Sequence, residues 1–217
     1  MLLPISIAAV VGYLLGSLPF GYLVARAHGV DIFKVGSGNP GATNVKRVLG
    51  SKAGNTVYFL DALKGAVAAG WPVIWYLVAR RASAPAGSGA SEAYFWGISG
   101  LVAAVIGHSF SIFTHFKGGK GVATASGGLF VLMPLPGMIA VLVWIVTFSL
   151  WRYVSLASIL GSLAVPVAAW LRGLPLALEI LATVLALLVV VRHHSNIRRL
   201  LAGTEHRWER KQAGDDP

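Results

Sequence analysis

The feature that most constrains this chain is a series of apolar runs, each about long enough to cross a bilayer, separated by short polar islands. A spanning helix needs about 20 consecutive apolar residues. Such runs occupy about 3–27, 55–78 and 93–113. The stretch 121–191 is also apolar, broken at Met133-Pro134-Leu135-Pro136, at Trp151-Arg152 and at Arg172-Gly173. Charged residues make up 12% of the chain, roughly half the share of a soluble domain. The pattern predicts an all-α integral membrane protein, with 1–217 as one domain and 205–217 as a polar cytoplasmic tail. Met1 to Leu3 carry no basic residue and no small-residue cleavage site follows, so Pro4 to Ala25 reads as the first membrane helix, not a signal peptide. Cysteine is absent, which excludes disulfides and thiolate chemistry.

Charge placement sets the number of spans. The Met133–Pro136 break admits either one span over 121–149 or a short helix over 121–133 followed by another over 137–150. With the polar islands on the cytoplasmic side, about seven spans leave only Arg80, Arg81 and Arg172 outside. Six would place the basic tail from Arg192 onward outside, against the positive-inside rule. The expectation is seven transmembrane helices, a short or broken fourth, the N-terminus outside and the C-terminus cytoplasmic. A broken helix at membrane depth must face protein or a water-filled cavity. The net charge of +10 does not point to nucleic acid, because no basic and aromatic platform exists outside the apolar runs. In a membrane protein it marks cytoplasmic loops and anionic lipid or substrate.

The first island lies in an expected loop over 28–53 and reads KVGSGNPGATNVKRVLG from Lys34 to Gly50. Its glycines permit turns that expose N–H groups, and concave N–H groups bind anions. Ser37, Thr43 and Asn44 add donors, and Arg47 adds a planar charged fork suited to phosphate. The second island, His108 to Thr124, contains Lys117-Gly118-Gly119-Lys120-Gly121, after which Gly121 to Thr124 open a helix whose N-terminus favours an anion. In the third, Arg192 to Glu205, His193 and Asn196 share a helix face with Arg199 three residues on, while His194 points elsewhere. Asp61 and Lys64 also share a face and read as a buried pair orienting the loop. No metal site is expected, since no carboxylate completes a cluster with two histidines. Ser37 lacks the G-x-S-x-G elbow of a serine nucleophile.

Taken in order, SGNPGATNVKR (37–47), GHSFSIFTHFKGGKGVAT (107–124) and HHSNIRRLLAGTE (193–205) resemble the bacterial acyl-phosphate:glycerol-3-phosphate acyltransferase family across nearly the whole chain. Two features depart from the family pattern: Ser111 stands where a proline is usual, and the loop from Arg80 to Glu92 is long. The resemblance implies a multi-pass enzyme of the bacterial inner membrane with its active site at the cytoplasmic face. It would transfer an acyl group from acyl phosphate to the 1-hydroxyl of sn-glycerol 3-phosphate, giving lysophosphatidic acid and phosphate, the first step of phospholipid synthesis. It implies no cofactor. It allows as a partner, besides the bilayer and the two substrates, the peripheral enzyme that makes acyl phosphate. Consistently, no histidine is followed by aspartate five positions on, so the HxxxxD box of other glycerol-phosphate acyltransferases is absent.

By the same resemblance, Ser37, Arg47, Lys120, His193 and Asn196 form the catalytic set. Gly38, Asn39, Thr43 and Asn44 in the first island bind substrate or phosphate, as do Lys117, Gly118, Gly119, Gly121 and Thr124 in the second. Arg199 and Glu205 complete the third, with Glu205 as its brace. Either His193 or the departing phosphate could take the hydroxyl proton; the expectation is that a neutral His193 donates a hydrogen bond to phosphate and the departing phosphate takes the proton. The competing classes are an anion or phosphate-ester transporter, which would place its site near midplane between inverted repeats, and a non-catalytic membrane scaffold.

Overall fold

A computed structural model describes residues 2–81 and 90–209. The loop from Arg80 to Glu92 and the tail beyond Glu209 therefore lie largely outside the described residues. In chain order the helices are α1 (Leu2–Ser17), α2 (Phe20–Ala27), α3 (Ala42–Arg81), α4 (Ala90–Ser109), a 3₁₀ turn (Ile112–Thr114), α5 (Val122–Leu132), α6 (Pro134–Trp151), α7 (Val154–Leu171), α8 (Leu176–Arg192) and α9 (His194–Leu201).

Among the described residues, five segments are long and apolar enough to span: Leu3–Ala27, Ala42–Val78, Ala93–Thr114, Pro134–Trp151 and Val154–Leu171. A sixth is the pair α8 and α9, bent by 58°. The apolar α5 has only 11 residues. Counting it gives the seven segments expected of the sequence, one of them short. Pro134 starts α6 in the first turn, where a missing N–H costs nothing, and so separates α5 from α6.

Three boundaries differ from expectation. Leu18-Pro19 divides the first span, because proline offers no N–H to continue the ladder. Residues 42–49, expected in the loop, are helical and run into the second span. Gly50 marks the join with a left-handed φ of 87° that kinks it. The third island is not one helix but turns at His193, where α8 ends and α9 begins.

The helices pack α1 on α4, α3 on α4 and α5, α6 on α7, and α7 on α8. One core joins Leu101, Val105, Leu129, Leu132, Met133, Leu178 and Leu185. A smaller one, around Ile32, Val45 and Val57, fastens the first island to α2 and α3. Small residues let α3 and α5 meet closely: a Cβ on Gly65 or Gly127 would run into the facing backbone at Thr124 or Ala62. Large apolar side chains such as Trp75, Leu142, Trp170 and Val191 face outward, as expected where the surroundings are lipid.

Candidate active site

The first island is shaped by its asparagines. Ser37 lies between Gly36 and Gly38, whose φ values of 59° and 67° are left-handed and suit glycine. Asn44 is buried, and its side chain works within the protein. Its Oδ1 accepts from the Ser37 N–H at 2.8 Å and from Arg47 Nη1 at 3.4 Å, and its Nδ2 donates to the Val35 carbonyl at 3.0 Å. Asn39 Oδ1 accepts from the Gly41 N–H at 2.9 Å. Ser37 and Thr43 are thus held facing open space, and Arg47 keeps a buried Nε with no protein partner.

The second island turns back beneath α4. The Gly119 N–H donates to the His108 carbonyl at 3.1 Å. Arg192 Nη2 donates to the carbonyls of Gly118 and Gly119 at 3.2 and 2.8 Å. The turn delivers Lys120 to Asn196, 76 positions away, where Nζ donates to Oδ1. Asn196 Nδ2 donates to Glu205 Oε1 at 2.6 Å, and Arg199 Nε pairs with Glu205 Oε2 at 2.7 Å. Glu205 therefore braces the third island from inside. Burial alone would raise its carboxyl, but the bonds from Asn196 and Arg199 outweigh that and hold it below its usual value.

His193 caps the spanning helix α8 at the hinge to α9. Its Nδ1 lies 2.7 Å from the Val189 carbonyl. A carbonyl only accepts, so Nδ1 carries the hydrogen and the neutral ring presents a lone pair at Nε2. His194 is exposed and faces away. Burial lowers the Lys120 ammonium to about 8, with the charges of Arg199, Arg192 and Arg47 adding to the shift and Glu205 opposing it.

These groups share one cavity of about 880 Å³. At its polar end stand Ser37, Asn39, Thr43, Asn44, Arg47, Lys120, Gly121, His193, Asn196, Arg199 and Glu205. The cavity continues as an apolar groove along α5, α6, α7 and α8, past Phe130, Ala140, Trp144, Phe148, Gly161, Val165 and Leu185. Five residues expected to bind substrate or phosphate lie off this lining. Gly38 sits in the turn behind Ser37. Gly118 and Gly119 border a small adjoining cavity, as does Lys117, whose side chain is exposed. Thr124 is buried beside Gly65 of α3.

The match with known proteins covers the same extent. A family model described as glycerol-3-phosphate acyltransferase matches residues 6–203. The glycerol-3-phosphate acyltransferase of Aquifex aeolicus (strain VF5) is 43% identical over 90% of this chain and 95% of its own. That of Geotalea daltonii is 42% identical over 94% and 98%. The chain belongs to the glycerol-3-phosphate acyltransferase family. Crystal structures of PlsY (YgiH), an integral membrane glycerol 3-phosphate acyltransferase, superpose with TM-scores of 0.82 for the glycerol 3-phosphate form and 0.80 for the lysophosphatidic acid form. Both are 40% identical and cover 94% of this chain.

Some residues at the site were not singled out from the sequence. Arg192 opens the third island, but its grip on the glycine turn needs α8 beside α4. His108 lines the cavity beside Asp61, which was expected only as half of a buried pair, and Trp208 lines it too. The Trp208 N–H donates to the Arg152 carbonyl at 3.0 Å and Lys46 lies over its ring at 5.6 Å. In this part of the polar tail Trp208 is half-buried, while His206, Arg207 and Glu209 are exposed. The tryptophan in an otherwise polar tail was the available signal.

Proposed function

We propose that this chain transfers an acyl group from acyl phosphate to the 1-hydroxyl of sn-glycerol 3-phosphate, releasing lysophosphatidic acid and phosphate. The observation that carries this reading is the single cavity that joins a cationic, Gly/Asn-lined end to an apolar groove within the bundle. Such a shape suits one substrate with an anionic head and a fatty tail together with a second, small anion. Family membership supports glycerol 3-phosphate as the acceptor.

Acyl phosphate is already activated, so the site must chiefly bring two anions together and align them. Alignment alone can supply about 7–11 kcal/mol at best. Arg47 and Lys120 offset the negative charge, Arg47 as a fork and Lys120 as a point charge. The Ser37 hydroxyl and the free N–H groups at the start of α5 add donors for phosphate oxygens. The 1-hydroxyl donates to His193 Nε2 as its oxygen attacks the acyl carbon. The new C–O ester bond forms and the C–O bond to phosphate breaks. The hydroxyl proton passes through Nε2 to the released phosphate. The donor role for His193 is disfavoured, because Nδ1 is committed to Val189 and the neutral ring has no second hydrogen.

The test uses purified protein in detergent with acyl phosphate and labelled glycerol 3-phosphate, without CoA or carrier protein. Labelled lysophosphatidic acid is expected. Product only when acyl-CoA or an acyl carrier protein is supplied would overturn the donor assignment. In the cell the same reading places the chain in the bacterial inner membrane with its site at the cytoplasmic face, where a peripheral enzyme could hand over acyl phosphate. Single cysteines at Ser88, outside the described residues, and at Thr204 should then label from opposite sides, Ser88 from outside. Labelling of both from one side would remove the seven-span orientation.

A further inference from the structure

Behind the glycine turn lies a second set of buried charges that the transfer step does not use. Asp61 and Lys64 of α3 form an ion pair at 2.7 Å with side chains 3% exposed. Lys64 also donates to the Leu18 carbonyl at 2.8 Å, at the break before Pro19. Ser111 donates to the neighbouring Ser17 carbonyl, so the start of the second island is tied to the same break. Asp61 Oδ1 stands 3.5 Å from His108 Nδ1.

His108 touches the turn twice. Its carbonyl accepts the Gly119 N–H, and its ring lies so close to the Gly119 Cα that a Cβ there would overlap Nε2. Arg192 holds the opposite side of the turn through the Gly118 and Gly119 carbonyls. A cavity of about 20 Å³, enough for about one water, separates the turn from the ion pair.

We propose that Asp61, acting through His108, positions the Gly118–Gly119 turn and so aims Lys120 into the cavity. The physical need is plain. Consecutive glycines have more backbone freedom than any other residues, and a lysine is a point charge on a flexible stem. A group useful for catalysis must be held before the substrate arrives. A buried carboxylate is a firm anchor, since leaving its partners would strand uncompensated charge. Asp61 and His108 are positioning residues in this scheme. The scheme rests on the role given to Lys120 above.

The test is a pair of double-mutant cycles, Asp61→Asn and His108→Gln, each crossed with Lys120→Ala. kcat/KM is measured with acyl phosphate. Glycerol 3-phosphate affinity is read from the ligand-dependent thermal shift, which needs no turnover. Each single variant is expected to lose about tenfold or more in kcat/KM, and the same substitution about twofold or less once Lys120 is alanine. The full penalty persisting in the Lys120→Ala background would overturn the proposal. If the α3 and α4 variants do not fold, Gly119→Ala drives a methyl into His108 from the turn side and leaves the ion pair intact. It must lose activity and show the same collapse of its penalty without Lys120; an additive result overturns the proposal. Failure of the unmodified protein to use acyl phosphate would instead defeat the functional reading, so the two failures are distinct.

Discussion

Two lysines in the same bundle have opposite fates. Lys64 is met by a carboxylate at 2.7 Å and a carbonyl at 2.8 Å, so the protein supplies both of its partners. Lys120 is met by the neutral amide of Asn196, while the nearby carboxylate of Glu205 is engaged by Asn196 and Arg199. The cavity end is therefore left with positive charge and an unpartnered Arg47 Nε, which an anionic ligand can complete. A completed charge holds the bundle together; an incomplete one binds. Breaking a buried pair by removing one partner costs about 3–5 kcal/mol, whereas removing a charge that awaits substrate mainly costs turnover.

The largest expected effect tests the incomplete side at its proton acceptor. His193→Ala and His193→Asn should each lower kcat by about 10²–10⁴ with little change in KM for glycerol 3-phosphate. His194→Ala, on the exposed face, should stay near the unmodified rate. A His193→Asn variant that keeps kcat and raises KM would show that Nε2 does not take the proton.

The next tests the cations. Lys120→Met should cost about 10²–10³ in kcat/KM without lowering the thermal unfolding midpoint, because burial already disfavours the charge it removes. Lys64→Met should instead lower the midpoint strongly, and its remaining folded fraction should keep more activity than Lys120→Met. Equal midpoint losses in the two would dissolve the contrast. Arg47→Lys should remain badly impaired because the fork is lost, while Lys120→Arg should retain more activity than Lys120→Ala.

A smaller effect follows from pH. Burial lowers Lys120 from its ordinary value of 10.5 to about 8. Above about pH 8 the free enzyme loses this cation, so kcat/KM should fall there, and Lys120→Arg should move that limb to higher pH. Stability should go the other way. Between about pH 8 and 10.5 the unfolded chain holds more protons at this residue than the folded one, so its contribution to stability rises with pH. An alkaline limb unmoved in Lys120→Arg would assign it to another group.

The smallest concerns the tail. The main-chain bond of Trp208 survives substitution, so Trp208→Ala removes little beyond the contact with Lys46, worth about 0.5–1 kcal/mol at an exposed site. A rise in KM of up to about fivefold is expected in the same assay. A kcat loss beyond tenfold would mean the tail does more than line the cavity.

Much of the fold could be read in advance because its signals are local. Each span is a run of apolar residues, and Met133-Pro134, Arg152 and Arg172-Gly173 fall where helices end. The helical residues 42–49 were missed because glycines and asparagines on either side mask a short amphipathic turn. Asn44 carries a polar side chain in a phosphate-like motif, but nothing in the motif says that its oxygen is occupied by the Ser37 N–H. Lys117 and Lys120 look alike in Lys117-Gly118-Gly119-Lys120. The structure sends one outward and the other inward, because Arg192 and His108 grip the two glycines between them.

By itself, then, the sequence determined the membrane environment, the helix segments and the three islands, since hydrophobic length, proline and glycine act over a few residues. It also determined the family, since the three islands in order resemble that family's motifs and the family model matches residues 6–203. Tertiary structure alone decided which charges are completed and which are left for a ligand. The reason is distance along the chain: Lys120 meets Asn196 across 76 positions, and Lys64 meets the Leu18 carbonyl across 46. Only the packing of α1 and α2 on α3, and of α8 with α9 beside α4 and α5, fixes such partnerships. A buried charge takes its role from the groups that packing brings within hydrogen-bond reach.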